Sequence, residues 1–146
     1  MHEFPHQYTV TAAAQAEGEI VVEAEKLPAL ATAPPAQFDG PGDRWSPEML
    51  LVGAVADCVV LSFRAIARAS KFNWSDISCE VEGTLDRVDR VSQFTHFTVR
   101  LTLTVPPDSS EERARMLLEK AERTCLVSNS LKGESTLDIH IVVSAG

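Results

Sequence analysis

The sequence predicts an α+β domain, with antiparallel sheets and a buried central helix, on three observations. Residues 46–70, SPEMLLVGAVADCVVLSFRAIARAS, carry apolar side chains on every side of a helix. Residues 97–105 and 137–143 alternate apolar and polar residues with the period of a half-buried strand. Between them, a stretch opening near Ser109 places Ala114, Leu117, Leu118 and Ala121 on one face of a second helix. A chain of 146 residues with 45% hydrophobic and 23% charged residues fits one globular domain, 1–146.

The central helix has clear start signals. Ser46 suits the N-cap, Pro47 the first helical position, and the Glu48 carboxylate the first turn. From Met49 to Phe63 only Asp57 is charged, and it interrupts the apolar run short of the ~18–20 residues a bilayer span needs. The stretch therefore reads as a core helix, with Cys58 at its middle. One sheet covers only one side of such a helix, so a homodimer that buries it between two sheets is expected.

The flanking elements follow in order. Residues 8–14 and 18–25 read as strands joined by a turn at 15–18, and 29–38 as an irregular third strand broken by Pro34 and Pro35. A loop at 39–43 leads through Arg44 and Trp45 to the helix. After a polar turn at 71–75, Ile77, Cys79, Val81 and Leu85 mark a strand, 86–93 a hairpin loop, and Pro106-Pro107 the end of the 97–105 strand. Ser109 and Glu112 have the spacing of a capping box, and four residues beyond Ala121 on the same helix face stands Cys125. Residues 129–135 form a loop before the last strand.

Charge and cysteine usage exclude some functions. A net charge of −8 disfavours nucleic acid and anionic membrane surfaces as partners. The first residues lack the basic and apolar regions of a signal peptide, and three cysteines do not make a secreted disulfide framework, so a cytoplasmic location is expected. His2, His6, His96 and His140 stand at no metal-ligand spacing, and no glycine-rich phosphate loop is present; neither metal nor cofactor is expected.

Cysteine chemistry remains. Cys58 reads either as a small packed hydrophobe or as a nucleophile. Cys125, arriving from another helix at the same core, suits a resolving partner for it, while Cys79 reads as inert filling on a strand. A thiol in hydrocarbon needs a cation to stabilise its thiolate, and Arg44, paired to Glu48, is the candidate. Arg64 and Arg68 follow Cys58 and reach for solvent. Leu50, Leu51, Val55 and Phe63 would line an apolar wall beside the thiol. Glu48 and Cys58 stand ten residues apart, about 15 Å along a straight helix. Either the helix breaks near Gly53, or Glu48 and Arg44 serve the partner subunit's cysteine; the second is the expectation.

Two of these stretches resemble the OsmC/Ohr family (osmotically inducible protein C and organic hydroperoxide resistance protein). SPEMLLVGAVADC is similar to the family's helix bearing an acidic residue ten positions before a cysteine, and AERTCLVSNSLKG to its second cysteine segment. Leu126 stands where the family has proline, and residues 1–43 contain no arginine for the one the Ohr branch places there. The resemblance implies an intertwined homodimer that reduces organic hydroperoxides, or hydrogen peroxide, by a thiol mechanism. It implies Cys58 as peroxidatic cysteine, Cys125 as resolving cysteine, Glu48 as the carboxylate that positions an arginine, Arg44 as the substitute arginine, and an external dithiol as reductant. The competing class is a non-catalytic dimer of the same fold that binds a small hydrophobic molecule or senses redox state.

Overall fold

The structure, a computed structural model, describes residues 1–145, in two compact units that meet in sequence at Leu50 and Leu51. In the first unit, β1 (Thr11–Ala13), β2 (Ile20–Glu23) and β3 (Leu30–Thr32) form an antiparallel sheet in that order. These strands are shorter than the alternation suggests. Gly18 and Lys26, with φ of 95° and 65°, turn the chain at either end of β2, and Ala36–Phe38 form a single 3-10 turn instead of extending β3. Gly40 is required there: a Cβ would lie 1.7 Å from the Pro34 carbonyl oxygen. The chain then returns beside β3, where the Ala33 N–H donates to the Trp45 carbonyl at 3.0 Å. The Ser46 hydroxyl, buried, accepts from the Met49 N–H at 3.1 Å, which is the expected cap.

That cap starts α1 (Pro47–Ala69), one helix of 23 residues with no break at Gly53. By length and composition, with a mean hydropathy of 2.0, it would suffice to cross a membrane. Instead Val55, Val59, Phe63 and Ala67, four residues apart, are wholly buried in the core. Leu51, Val52, Cys58 and Ile66 pack beside that stripe and are partly buried. Leu61, on another side of the helix, is 52% exposed, so the all-round burial expected for this helix is not met by one chain.

The second unit is built on β4 (Asp76–Val88), β5 (Val91–Val105) and β6 (Glu134–Val143), in the order β4-β5-β6. β4 and β5 pair up to a two-residue turn at Asp89-Arg90, both with positive φ (49° and 68°), so most of the loop expected at 86–93 is strand. Gly83 on β4 is bare because a Cβ would meet Val52 of α1 at 2.8 Å and the Phe94 ring at 3.0 Å. β6 runs parallel to β5, from His96 opposite Glu134 to Val105 opposite Val143. The sheet is therefore mixed and not purely antiparallel. The β5–β6 connection carries a whole helix, and such a crossover brings the chain back in its original direction.

That crossover contains α2 (Glu111–Arg123) and a single helical turn, α3 (Leu126–Asn129). Ser110, one residue later than expected, caps α2 by accepting from the Arg113 N–H at 3.1 Å. Ala114, Leu117, Leu118 and Ala121 face the core with Phe97, Val99, Leu101, Leu103 and Val105 of β5. Full burial of each Val, Leu or Phe among these stabilises the unit by about 1.5–3 kcal/mol. The polar face of the sheet carries Arg100 bridging Glu80 and Glu82, and His96 bonded to Thr136; His140 is exposed.

Candidate active site

Cys58 is placed by α1 and is partly buried against the core. Cys125 stands between α2 and α3 and is wholly buried in the core cluster. The two thiols belong to the same core: Cys125 lies within it, Cys58 packs against it, and Cys58 is near enough to perturb the Cys125 thiol. All three cysteines are free thiols.

Burial pushes the Cys125 thiol above the usual cysteine range. The hydroxyl and N–H of Ser128 pull it down, and the contact with Cys58 pushes it up again. Ser128 escaped the sequence reading; a hydroxyl three residues after a cysteine at a helix boundary was the available signal. Val55 and Phe63, expected in an apolar wall open to substrate, belong to the core instead. Ala54 and Leu61, within one turn of Cys58 on either side, are exposed apolar side chains.

Cys79 lies on the inward face of β4 opposite Leu101. Burial, and then the neighbouring Cys125, push its pKa up to about 11. Its thiolate is therefore scarce near neutral pH, and Cys79 is expected to resist iodoacetamide at pH 8. Folding raises this pKa above its ordinary 9.0, so the folded state holds the proton more tightly. The resulting stabilisation is full below pH 9 and is lost as pH rises through about 11. The stability gap between wild type and Cys79→Ala, measured by urea unfolding, is expected to shrink across that window. A gap that stays constant with pH contradicts the assignment.

The carboxylate and the arginine behave differently from expectation. Arg44 does not pair with Glu48. Its guanidinium bridges Glu19 at 3.0 Å and Asp43 at 3.5 Å, and both carboxylates raise its pKa. Glu19 is adjacent to β2, which pairs with β3, and Trp45 runs beside β3, so sheet pairing brings residue 44 to residue 19. Glu48 is left with a buried Oε1 that has no hydrogen-bond partner. Arg64 and Arg68 are exposed. No group of three or more His, Cys, Asp or Glu suited to a metal ion occurs among the described residues.

Solved structures share this fold. An OsmC-like protein of unknown function from Vibrio cholerae superposes with a TM-score of 0.84 at 14% identity, over 92% of this chain and 99% of that one. An organic hydroperoxide resistance protein from Legionella pneumophila gives 0.70 at 24% identity, over 98% and 100%. A putative organic hydroperoxide resistance protein from Vibrio cholerae, with captopril bound in one active site, gives 0.69 at 24%, over 99% and 95%. In sequence, the uncharacterized protein YmaD of Bacillus subtilis is 28% identical over 115 residues, 77% of each chain. A family model described as OsmC-like protein matches residues 40–140, a span that contains both cysteine motifs, and this chain belongs to the OsmC-like family.

Proposed function

We propose that the protein is a thiol peroxidase that reduces organic hydroperoxides through Cys58 and Cys125. The observation that carries this reading is the nearness of the two thiols at one core, Cys58 on α1 and Cys125 at the turn between α2 and α3. Family membership and fold neighbours named for hydroperoxide resistance support it. The Cys58 thiolate attacks the terminal oxygen of the hydroperoxide, the O–O bond breaks, and the alkoxide leaves and takes up a proton. Cys58 becomes a sulfenic acid. Cys125 attacks that sulfur, a disulfide forms, and hydroxide leaves as water. An external dithiol then restores both thiols by exchange, in keeping with a reducing cytoplasm. Leu61 beside Cys58 favours an organic substituent on the peroxide over a bare polar one.

The same reading assigns Glu48 and an arginine, Arg44, to stabilising the thiolate. Because α1 is unbroken, Glu48 stands about 15 Å along the axis from its own Cys58. We therefore place Glu48 beside Cys58 of a second copy, in a homodimer that covers the exposed side of α1 carrying Leu61. Titrating thiols before and after one equivalent of cumene hydroperoxide tests the activity. Loss of two thiols per chain is expected. No loss would favour the alternative, a non-catalytic dimer that binds a small hydrophobic molecule.

A further inference from the structure

We propose that Ser128 is a positioning residue for the resolving thiol: its buried hydroxyl donates to the Cys125 sulfur as that sulfur becomes a thiolate, and holds it toward Cys58. The proposal rests on the disulfide chemistry above and names the group that prepares its second step.

The local hydrogen bonds single this residue out. The Asn129 N–H donates to the Cys125 carbonyl at 3.0 Å, which closes the turn and keeps Ser128 within one helical turn of Cys125. Neighbouring side chains are satisfied within the same segment. The Ser130 hydroxyl donates to the Leu126 carbonyl at 2.8 Å, Thr124 to the Lys120 carbonyl at 2.8 Å, and the Asn129 amide to the Arg123 carbonyl at 3.3 Å. Ser128 Oγ, three residues beyond Cys125 in that closed turn, is buried with no hydrogen-bond partner. A buried hydroxyl left in this state is costly, and native proteins seldom keep one without a use.

The use follows from the chemistry of sulfur. A thiol is a weak acceptor, so little is gained while Cys125 is protonated. A thiolate is a charged acceptor, and a hydrogen bond to it is about twice as strong as a neutral one. The Ser128 bond thus strengthens at the moment Cys125 loses its proton, and it offsets part of the penalty that burial imposes on the charged sulfur. Cys125 thiolate then attacks the Cys58 sulfenic acid, the S–S bond forms as the S–OH bond breaks, and the departing hydroxide is protonated to water. Ser128 keeps its own proton throughout.

Alkylation of Cys125 by iodoacetamide, followed against pH by peptide mass spectrometry in the Cys58→Ser protein, tests this without peroxide. Ser128→Ala should move the midpoint up by about one pH unit, equivalent to roughly tenfold less thiolate at fixed pH. Ser128→Thr, which keeps the hydroxyl, should restore it. With Cys58 present and hydroperoxide added, Ser128→Ala should raise the ratio of Cys58 sulfinic acid to disulfide by about the same tenfold factor. An unmoved midpoint in Ser128→Ala, or a shift that Ser128→Thr leaves in place, overturns the proposal. If the wild type forms no Cys58–Cys125 disulfide, the peroxidase reading fails, and the alkylation profile still decides whether Ser128 supports the Cys125 thiolate.

Discussion

Cys58→Ser is expected to lower hydroperoxide consumption at least about a thousandfold, because the group that breaks the O–O bond is gone. Cys125→Ser should behave differently. It retains the nucleophile, so one equivalent of peroxide per chain is consumed in the first turnover. With no thiol in contact to trap it, the sulfenic acid waits for a second peroxide and becomes a sulfinic acid, which an ordinary dithiol does not reverse. Peroxide assay and intact mass together check this: a burst of one equivalent, then two added oxygens on Cys58. Peptide mapping of the oxidised wild type should join Cys58 to Cys125 and leave Cys79 reduced. A bridge that contains Cys79, or unchanged turnover in Cys125→Ser, contradicts the pairing.

Mixing two inactive variants, Glu48→Ala and Cys58→Ser, is expected to restore peroxidase activity once subunits exchange. If the carboxylate of one chain serves the cysteine of the other, each mixed dimer holds one complete site and one lacking both groups. Random exchange then makes half of all dimers mixed, so recovery should approach about a quarter of wild-type activity. If each chain serves itself, every site in the mixture lacks one group and activity stays at background. The readout depends on exchange, which mass spectrometry of a labelled chain verifies independently. The experiment also checks the assembly, since sedimentation of a compact monomer at micromolar concentration removes the partner the scheme needs.

The existence of both long helices and the buried face of α2 were legible in the sequence for physical reasons, whereas the buried stripe of α1 was not, because apolar residues cover every side of it. Ser46 and Pro47 announce α1, and the four positions Ala114, Leu117, Leu118 and Ala121 all reach the core. The alternation of β5 is likewise obeyed by Phe97, Val99, Leu101, Leu103 and Val105. What alternation does not encode is direction, so β6 needed its connection: strand, helix, strand already implied a parallel return. The Asp89-Arg90 turn was hidden because neither residue is glycine, although both adopt positive φ. At the site, helix faces pointed both Cys58 and Cys125 toward one core, where the structure has them. The partner of Arg44 could not, since Glu48 is near in sequence while Glu19 is brought in by strand pairing.

The parallel placement of β6 sets an order of events during folding. β4 and β5 are neighbours through a two-residue turn and can zip locally, whereas β6 reaches its place only after α2 and α3 have crossed the sheet. Cys125 lies on that crossing segment, between α2 and α3, and β6 follows it. A growing polypeptide thus exposes Cys58 and Cys79 well before Cys125 can be held beside either. The cysteine pairing proposed above therefore depends on the β5–β6 crossover, and a chain that has not yet placed β6 carries both thiols apart.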